Sequence, residues 1–178
     1  MGQSFFMMLN IEIKARCEDP RHIRDYLLSN HAIFKGTDIQ RDTYFNVPNG
    51  RMKLRQGKIE NALIHYQRDD QKGPKSSQVT LYPVNESNLL RSLLEKALGI
   101  KVIVEKQREI YFIENVKFHI DIVQNLGSFI EIEAISENET INLGTLQNQC
   151  LHYMQEFGIR DEDLLNDSYS DQLLDQLD

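Results

Sequence analysis

The sequence predicts an α+β protein organised on one large antiparallel sheet, and three observations carry that expectation. Eight segments alternate apolar and polar residues with period two, turn clusters separate most of them, and the helical stretches lie between strands or gather at the end of the chain. The first alternation puts Ile11, Ile13, Ala15 and Cys17 on one face and Asn10, Glu12, Lys14 and Arg16 on the other. Asp19-Pro20 then opens a helix striped by Ile23, Tyr26 and Leu27 and ending near Asn30. Pro48-Asn49-Gly50 separates Asp42-Thr43-Tyr44-Phe45 from the alternating run Arg51-Met52-Lys53-Leu54-Arg55, which reads as a hairpin. Gln56-Gly57-Lys58 turns the chain into a strand over 61–68. A polar loop over 69–77, containing Gly73-Pro74, leads to a short strand over 78–82. The clearest helix is 86–98, with Leu89, Leu90, Leu93, Leu94, Ala97 and Leu98 at helical spacing and Gly99 just past its end. Three more strands, 101–112, 116–123 and 128–135, form an antiparallel meander. Leu143, Leu146, Cys150, Tyr153 and Phe157 mark a helix closed by Gly158, and a last helical segment falls around 167–177. No repeat or linker divides the chain. A single domain over 1–178 is expected, with strands within about 9–136 and the C-terminal helices at about 141–178.

Composition excludes several classes. At 178 residues, 40% hydrophobic and 26% charged, with 9 Gly and 4 Pro, the chain is long enough for a core and too well balanced for disorder. The net charge of −7 resides in the tail, where residues 161–178 carry seven acids and no base. A neutral body and an acidic tail lack the basic stripe that duplex nucleic acid demands, so no nucleic-acid partner is expected. No apolar run approaches the length of a membrane span, so no membrane is expected either. Two cysteines are too few for a disulfide scaffold, which points to a reducing cytoplasm.

The informative feature is the charged face of each strand: Glu12 and Lys14; Lys53 and Arg55; Tyr66 and Arg68; Lys106 and Arg108; Lys117, His119 and Asp121; Glu131 and Glu133. Such a face either points at water or lines the interior of a closed sheet. Lys53, Arg55, Arg68, Lys106, Arg108 and Lys117 would set like charges side by side, a repulsion that a bound polyanion offsets. Glu131 and Glu133 share one strand face, an arrangement that calls for a cation between them, and hard oxygen ligands suit Mg²⁺ or Mn²⁺. His119 shares the face of Lys117 and Asp121. No Gly-rich phosphate loop, nucleophile elbow or kinase signature is present, so side chains would have to hold phosphate.

In this order the segments resemble the CYTH superfamily, the triphosphate tunnel metalloenzymes, and within it the class IV adenylate cyclases. Asn10-Ile11-Glu12-Ile13-Lys14 is similar to the ExExK signature, and Asp42-Thr43-Tyr44-Phe45 with Gly50-Arg51-Met52-Lys53-Leu54-Arg55 to the "DTYF…GRLKLR" segment. Ile64-His65-Tyr66-Gln67-Arg68 and Gly73-Pro74-Lys75-Ser76-Ser77 resemble the cyclase-type "LIxYxR" and "GPKxS" stretches. Lys106-Gln107-Arg108, the run 117–121, Gly127-Ser128-Phe129-Ile130-Glu131-Ile132-Glu133 and Ser168-Tyr169-Ser170-Asp171 follow in the family's order.

The resemblance implies a single-domain eight-stranded antiparallel β-barrel, a tunnel with a charged interior and flanking helices. It implies a triphosphate substrate, Mg²⁺ or Mn²⁺, and a homodimer. By matching position, Glu12, Glu131, Glu133 and Asp121 would hold metal. Lys14, Lys53, Arg55, Arg68, Lys106, Arg108 and Lys117 would grip phosphate, Lys75 would close from a loop, and Tyr44 and Tyr66 would line the pocket. Glu12, Lys14 and Tyr66 are the catalytic candidates. The implied reaction converts ATP to cyclic AMP and pyrophosphate; the alternatives are hydrolysis of tripolyphosphate, thiamine triphosphate or a nucleotide, and a non-catalytic triphosphate-binding module. One departure stands out: Asn10 replaces the first Glu of ExExK, leaving a neutral oxygen where the family has a charged ligand.

Overall fold

A computed structural model describes residues 6–67, 73–137 and 140–177. Eight strands close into an antiparallel barrel in the order β1-β5-β4-β3-β2-β6-β7-β8. They are β1 (Phe6–Arg16), β2 (Ile33–Phe45), β3 (Arg51–Gln56), β4 (Ala62–Gln67), β5 (Lys75–Pro83), β6 (Ile100–Ile113), β7 (Val116–Val123) and β8 (Gly127–Glu137). The helices are α1 (Arg21–Ser29), α2 (Ser87–Leu98), α3 (Leu143–Glu156) and α4 (Tyr169–Leu174).

On β1, β7 and β8 the apolar faces point outward and the charged faces inward, so the main hydrophobic core lies outside the barrel wall, whereas β4 and β5 turn Ile64, Tyr66, Val79 and Leu81 inward. Ile11, Ile13 and Ala15 of β1, Phe118 and Ile120 of β7, and Ile130, Ile132 and Ala134 of β8 are covered by Ile23 and Leu27 of α1 and by Leu146 and Cys150 of α3. Phe118 is fully buried, and truncating it to Ala would cost about 3–5 kcal/mol. On the opposite side α2 packs Leu90, Leu94 and Leu98 on Phe45, Leu54 and Val84. Its other leucines stay in water, with Leu89 71% exposed, so the stripe that identified the helix is only half covered.

Local chemistry sets the ends. Asp19 takes the Arg21 backbone N–H at 3.1 Å, which starts α1 one residue later than the sequence suggested. Gly99 ends α2 at φ 73°, a conformation that favours glycine. Ser168 accepts from the Asp171 N–H while the Asp171 carboxylate accepts from the Ser168 N–H, a capping box that starts α4.

Two strands differ from expectation. β2 spans thirteen residues rather than 42–45, because its inward residues Asp38, Gln40 and Asp42 are polar and buried while Ile39 faces out at 69% exposure. That inverts the usual apolar-in pattern. β5 begins at Lys75, so part of the expected polar loop is strand paired with β1.

Candidate active site

The barrel encloses a cavity of about 360 Å³ into which β1, β3, β6, β7 and β8 project charged side chains. Lys14, Lys53, Arg55, Lys106, Arg108 and Lys117 all line it, as do Glu12, Glu131, Glu133, Tyr44, Tyr66 and His119. Arg68 lies outside the described residues, as does the side chain of Lys75, whose backbone sits opposite Glu12.

The expectation that these cations repel one another until a polyanion arrives is corrected by the carboxylates interleaved with them. Asp42, 1% exposed, takes Arg55 at 2.9 and 2.8 Å, Lys53 at 3.0 Å and Lys106 at 2.8 Å. Burial alone would push its pKa up, but Arg55, Lys106 and Lys53 outweigh that and hold it well below the ordinary carboxylate range. Arg108 forks onto Asp121 at 2.7 and 2.6 Å and reaches Glu131 at 2.7 Å. Glu60, between β3 and β4, accepts from Arg55 at 2.8 Å, from Gln40 at 2.9 Å and from Lys117.

The carboxylates also separate. Glu131 turns toward Arg108 and lies 3.6 Å from Lys14, so its pKa stays well below normal despite burial. Glu133 accepts from Asn10 Nδ2 at 2.5 Å and stands opposite Glu12 across the β1–β8 pairing. Burial, with Glu131 and Glu12 nearby, raises its pKa. The pair on one strand is thus accommodated by cations on one side and an amide on the other. Asp121 is not on the cavity wall: Arg108 holds both its oxygens and Tyr169 donates to one at 2.9 Å.

Several buried polar atoms of residues that line the cavity have no hydrogen-bond partner among the described residues: Asn10 Oδ1, Asn61 Oδ1, Ser77 Oγ and His119 Nε2, while His119 Nδ1 lies 3.5 Å from Glu131 Oε2. Burial, with Arg108 and Lys117 close, pushes the His119 pKa down to about 3 and keeps the ring neutral. Unpartnered buried polar atoms are costly, and a ligand that satisfies them recovers that cost.

The remaining wall differs. Between Ala62 and Tyr66 on β4 and between Ser77 and Pro83 on β5, the cavity is lined by Ala62, Ile64, Tyr66, Ser77, Val79, Leu81 and Pro83, none of them charged. One end is packed by Tyr169, whose ring lies 4.9 Å from Phe129, with Lys14 Nζ 4.2 Å above it. The cavity is two-sided, with cations and carboxylates facing an apolar wall.

Sequence reasoning missed Asp42, Glu60, Tyr169 and this wall as site features. Asp42 shares the face of Tyr44, and Tyr169 sits in the Ser-Tyr-Ser-Asp stretch, so both had a signal. Glu60 lies in a turn, where no periodicity reports direction.

MJ0240 of Methanocaldococcus jannaschii, whose name marks it as a candidate adenylate cyclase, is 24% identical over 177 residues, covering 91% of this chain and 97% of its own. The structure of PH1012 from Pyrococcus horikoshii superposes with a TM-score of 0.79 at 21% identity, covering 91% of this chain and 98% of that one. A Hippeastrum protein, HpAC1, described as a candidate adenylyl cyclase with a dominant triphosphatase activity, superposes with a TM-score of 0.59 at 12% identity over 94% of this chain and 95% of its own. The CYTH domain profile matches residues 8–169, and with the closed eight-stranded barrel and its charged interior this chain belongs to the CYTH domain family.

Proposed function

We propose that the cavity binds a nucleoside triphosphate with a divalent cation and converts ATP to cyclic AMP and pyrophosphate. CYTH proteins act on triphosphates with divalent metal ions, and the observation that carries the finer reading is the two-sided wall. Lys14, Lys53, Arg55, Lys106, Arg108 and Lys117 match a polyphosphate chain, while Ile64, Tyr66, Val79 and Leu81 offer an apolar surface. Bare tripolyphosphate has no use for that surface; a ribose and base do.

The residues fit a hard cation. Among the described residues no group of three or more His, Cys, Asp or Glu forms a metal cage. Mg²⁺ characteristically takes one or two carboxylates, substrate phosphates and water. Glu12 and Glu133 face each other with the unpartnered Asn10 Oδ1 beside them, and Glu131 lies on the same lumen face. Asp121, held by Arg108 and Tyr169, serves instead to orient Arg108. A cation at this position would polarise the α-phosphate and lower the pKa of the ribose 3′-hydroxyl.

In the proposed reaction the 3′ oxygen bonds to the α-phosphorus, the bond to the pyrophosphate oxygen breaks, and the hydroxyl proton passes to water. Lys14, Lys106 and Arg108 would neutralise the charge that grows on the leaving pyrophosphate, and Lys53 and Arg55 would hold the chain in line. Tyr44 and Tyr66 flank Lys53, whose Nζ lies 5.4 and 5.8 Å from their rings, and restrict where the chain can lie.

Hydrolysis is the second reading, favoured by the triphosphatase activity stated for the Hippeastrum neighbour. Incubation with ATP and Mg²⁺ or Mn²⁺, resolving cyclic AMP, ADP, phosphate and pyrophosphate, tests both. Cyclic AMP with equimolar pyrophosphate is expected. ADP with phosphate selects hydrolysis, and binding without any product selects a non-catalytic module.

A further inference from the structure

Glu60 occupies an unusual position. Its turn, between β3 and β4, is tied to the buried Asp38: the Lys58 and Glu60 backbone N–H groups donate to that carboxylate at 2.7 and 3.0 Å. Gly57 allows the close approach, since a Cβ there would lie 2.3 Å from Asp38 Oδ2. From this anchored turn the Glu60 side chain enters the cavity and bridges two walls. One oxygen accepts from Lys117 of β7, and the other accepts from Arg55 of β3 and Gln40 of β2. An acid bonded at once to an ammonium and a guanidinium from facing strands makes the contacts that a phosphate group would make there.

We propose that Glu60 is a specificity-determining residue that stands in for a phosphate at the Arg55–Lys117 end of the track. This rests on the triphosphate reading above. A ligand phosphate gains Arg55 and Lys117 only by displacing the tethered carboxylate. Ligands with one or two phosphates gain little from that exchange, whereas a longer chain has other anchors in Lys14, Lys53, Lys106 and Arg108 and can drive it. Glu60 therefore lowers the affinity for every polyphosphate that reaches this end, restrains rebinding of released pyrophosphate, and holds the two cations in place while the cavity is empty.

The test is calorimetric titration with sodium tripolyphosphate and with pyrophosphate in EDTA, on wild type, Glu60→Gln, Glu60→Asp and the control Glu105→Gln, whose carboxylate pairs with Arg41 on the outer face. Removing the charge that competes for Arg55 and Lys117 should tighten tripolyphosphate binding about tenfold or more in Glu60→Gln. Glu60→Asp keeps the charge but shortens the arm, so it should fold readily and show a smaller gain. The control should not move. Binding seen only in Glu60→Gln supports the inference as well. Wild-type binding with unchanged or weaker affinity in both Glu60 variants overturns it. Absence of binding in wild type and all variants, both in EDTA and when the series is repeated with Mg²⁺, overturns the triphosphate reading itself.

Discussion

Replacing Asp42 by Asn tests the electrostatic logic of the barrel most directly. The change preserves shape and one acceptor but removes the charge that Lys53, Arg55 and Lys106 share in a site 1% exposed. Leaving a buried cation without its partner costs about 3–5 kcal/mol, and three cations are affected here, so a loss of at least about 3 kcal/mol is expected at pH 7. For a chain of this size that corresponds to a melting point lower by about 6 °C or more. The sign of the pH dependence follows from the depressed pKa of Asp42. The unfolded chain protonates this group near pH ~3.9 while the folded chain keeps it ionised to lower pH. Its contribution is therefore present above about pH 4 and lost as pH falls through the folded value, so wild type and Asp42→Asn should converge in acid. Tripolyphosphate should raise the melting point of the variant more than that of wild type, because the anion supplies the missing charge. The assay is urea denaturation at pH 7 and thermal melts from pH 7 down to pH 3, with and without tripolyphosphate. A difference below about 1 kcal/mol at pH 7, the range of an exposed pair, or one that does not shrink in acid, refutes the reasoning.

Three other outcomes are expected. Glu133→Gln should raise the Mn²⁺ concentration needed for half-maximal turnover about tenfold or more, since a carboxylate opposite Glu12 is lost; an unchanged metal titration removes Glu133 from the ligand set. Arg108→Ala should weaken tripolyphosphate binding far more than adenosine binding, and equal loss of both would place Arg108 outside the phosphate track. Gly57→Ala forces a Cβ into Asp38 and should disturb the Glu60 turn, lowering the melting point by several degrees; a variant as stable as wild type would show that the turn yields.

The strands were legible because most of them alternate, while closure of the sheet into a barrel was implied by the family resemblance. The meander β6–β7–β8 and the β2–β3 hairpin pair as the alternation and turn residues indicate. The same regularity put Lys53 with Arg55, and Lys106 with Arg108, on one face; that this face points inward was implied by the resemblance. What periodicity does not report is which side chain answers which across a closed interior. Asp42 meets Lys106 and Arg55 only because β2 lies between β6 and β3. The early half of β2 was hidden because it buries Asp38, Gln40 and Asp42, a pattern a polar tunnel needs and an ordinary core forbids. Glu60 was invisible because a turn has no face. Tyr169 entered as part of a family-like motif, while its contacts with Phe129, Lys14 and Asp121 depend on α4 folding back over the barrel end.

Asn10 is where family pattern and local chemistry part. It is 3% exposed, its amide donates to Glu133, and its carbonyl oxygen is unpartnered. Glutamate at this position would lose the donor and set another buried carboxylate beside Glu133 and Glu12, so metal-free Asn10→Glu should melt below wild type. A divalent cation reverses that balance, because a carboxylate attracts it more strongly than an amide does, and the rise in melting point with Mn²⁺ should be larger in the variant. The reaction should respond unevenly. Cyclisation uses a nucleophile already carried by the substrate, whereas hydrolysis must bind and activate a water, for which a second cation is the usual means. Asn10→Glu should therefore increase tripolyphosphate hydrolysis more than cyclic AMP formation across a Mn²⁺ series. Equal gains in the two rates, or a melting point that responds to Mn²⁺ no more than wild type does, would show that position 10 neither strengthens metal binding nor sets the choice between attack by ribose and attack by water.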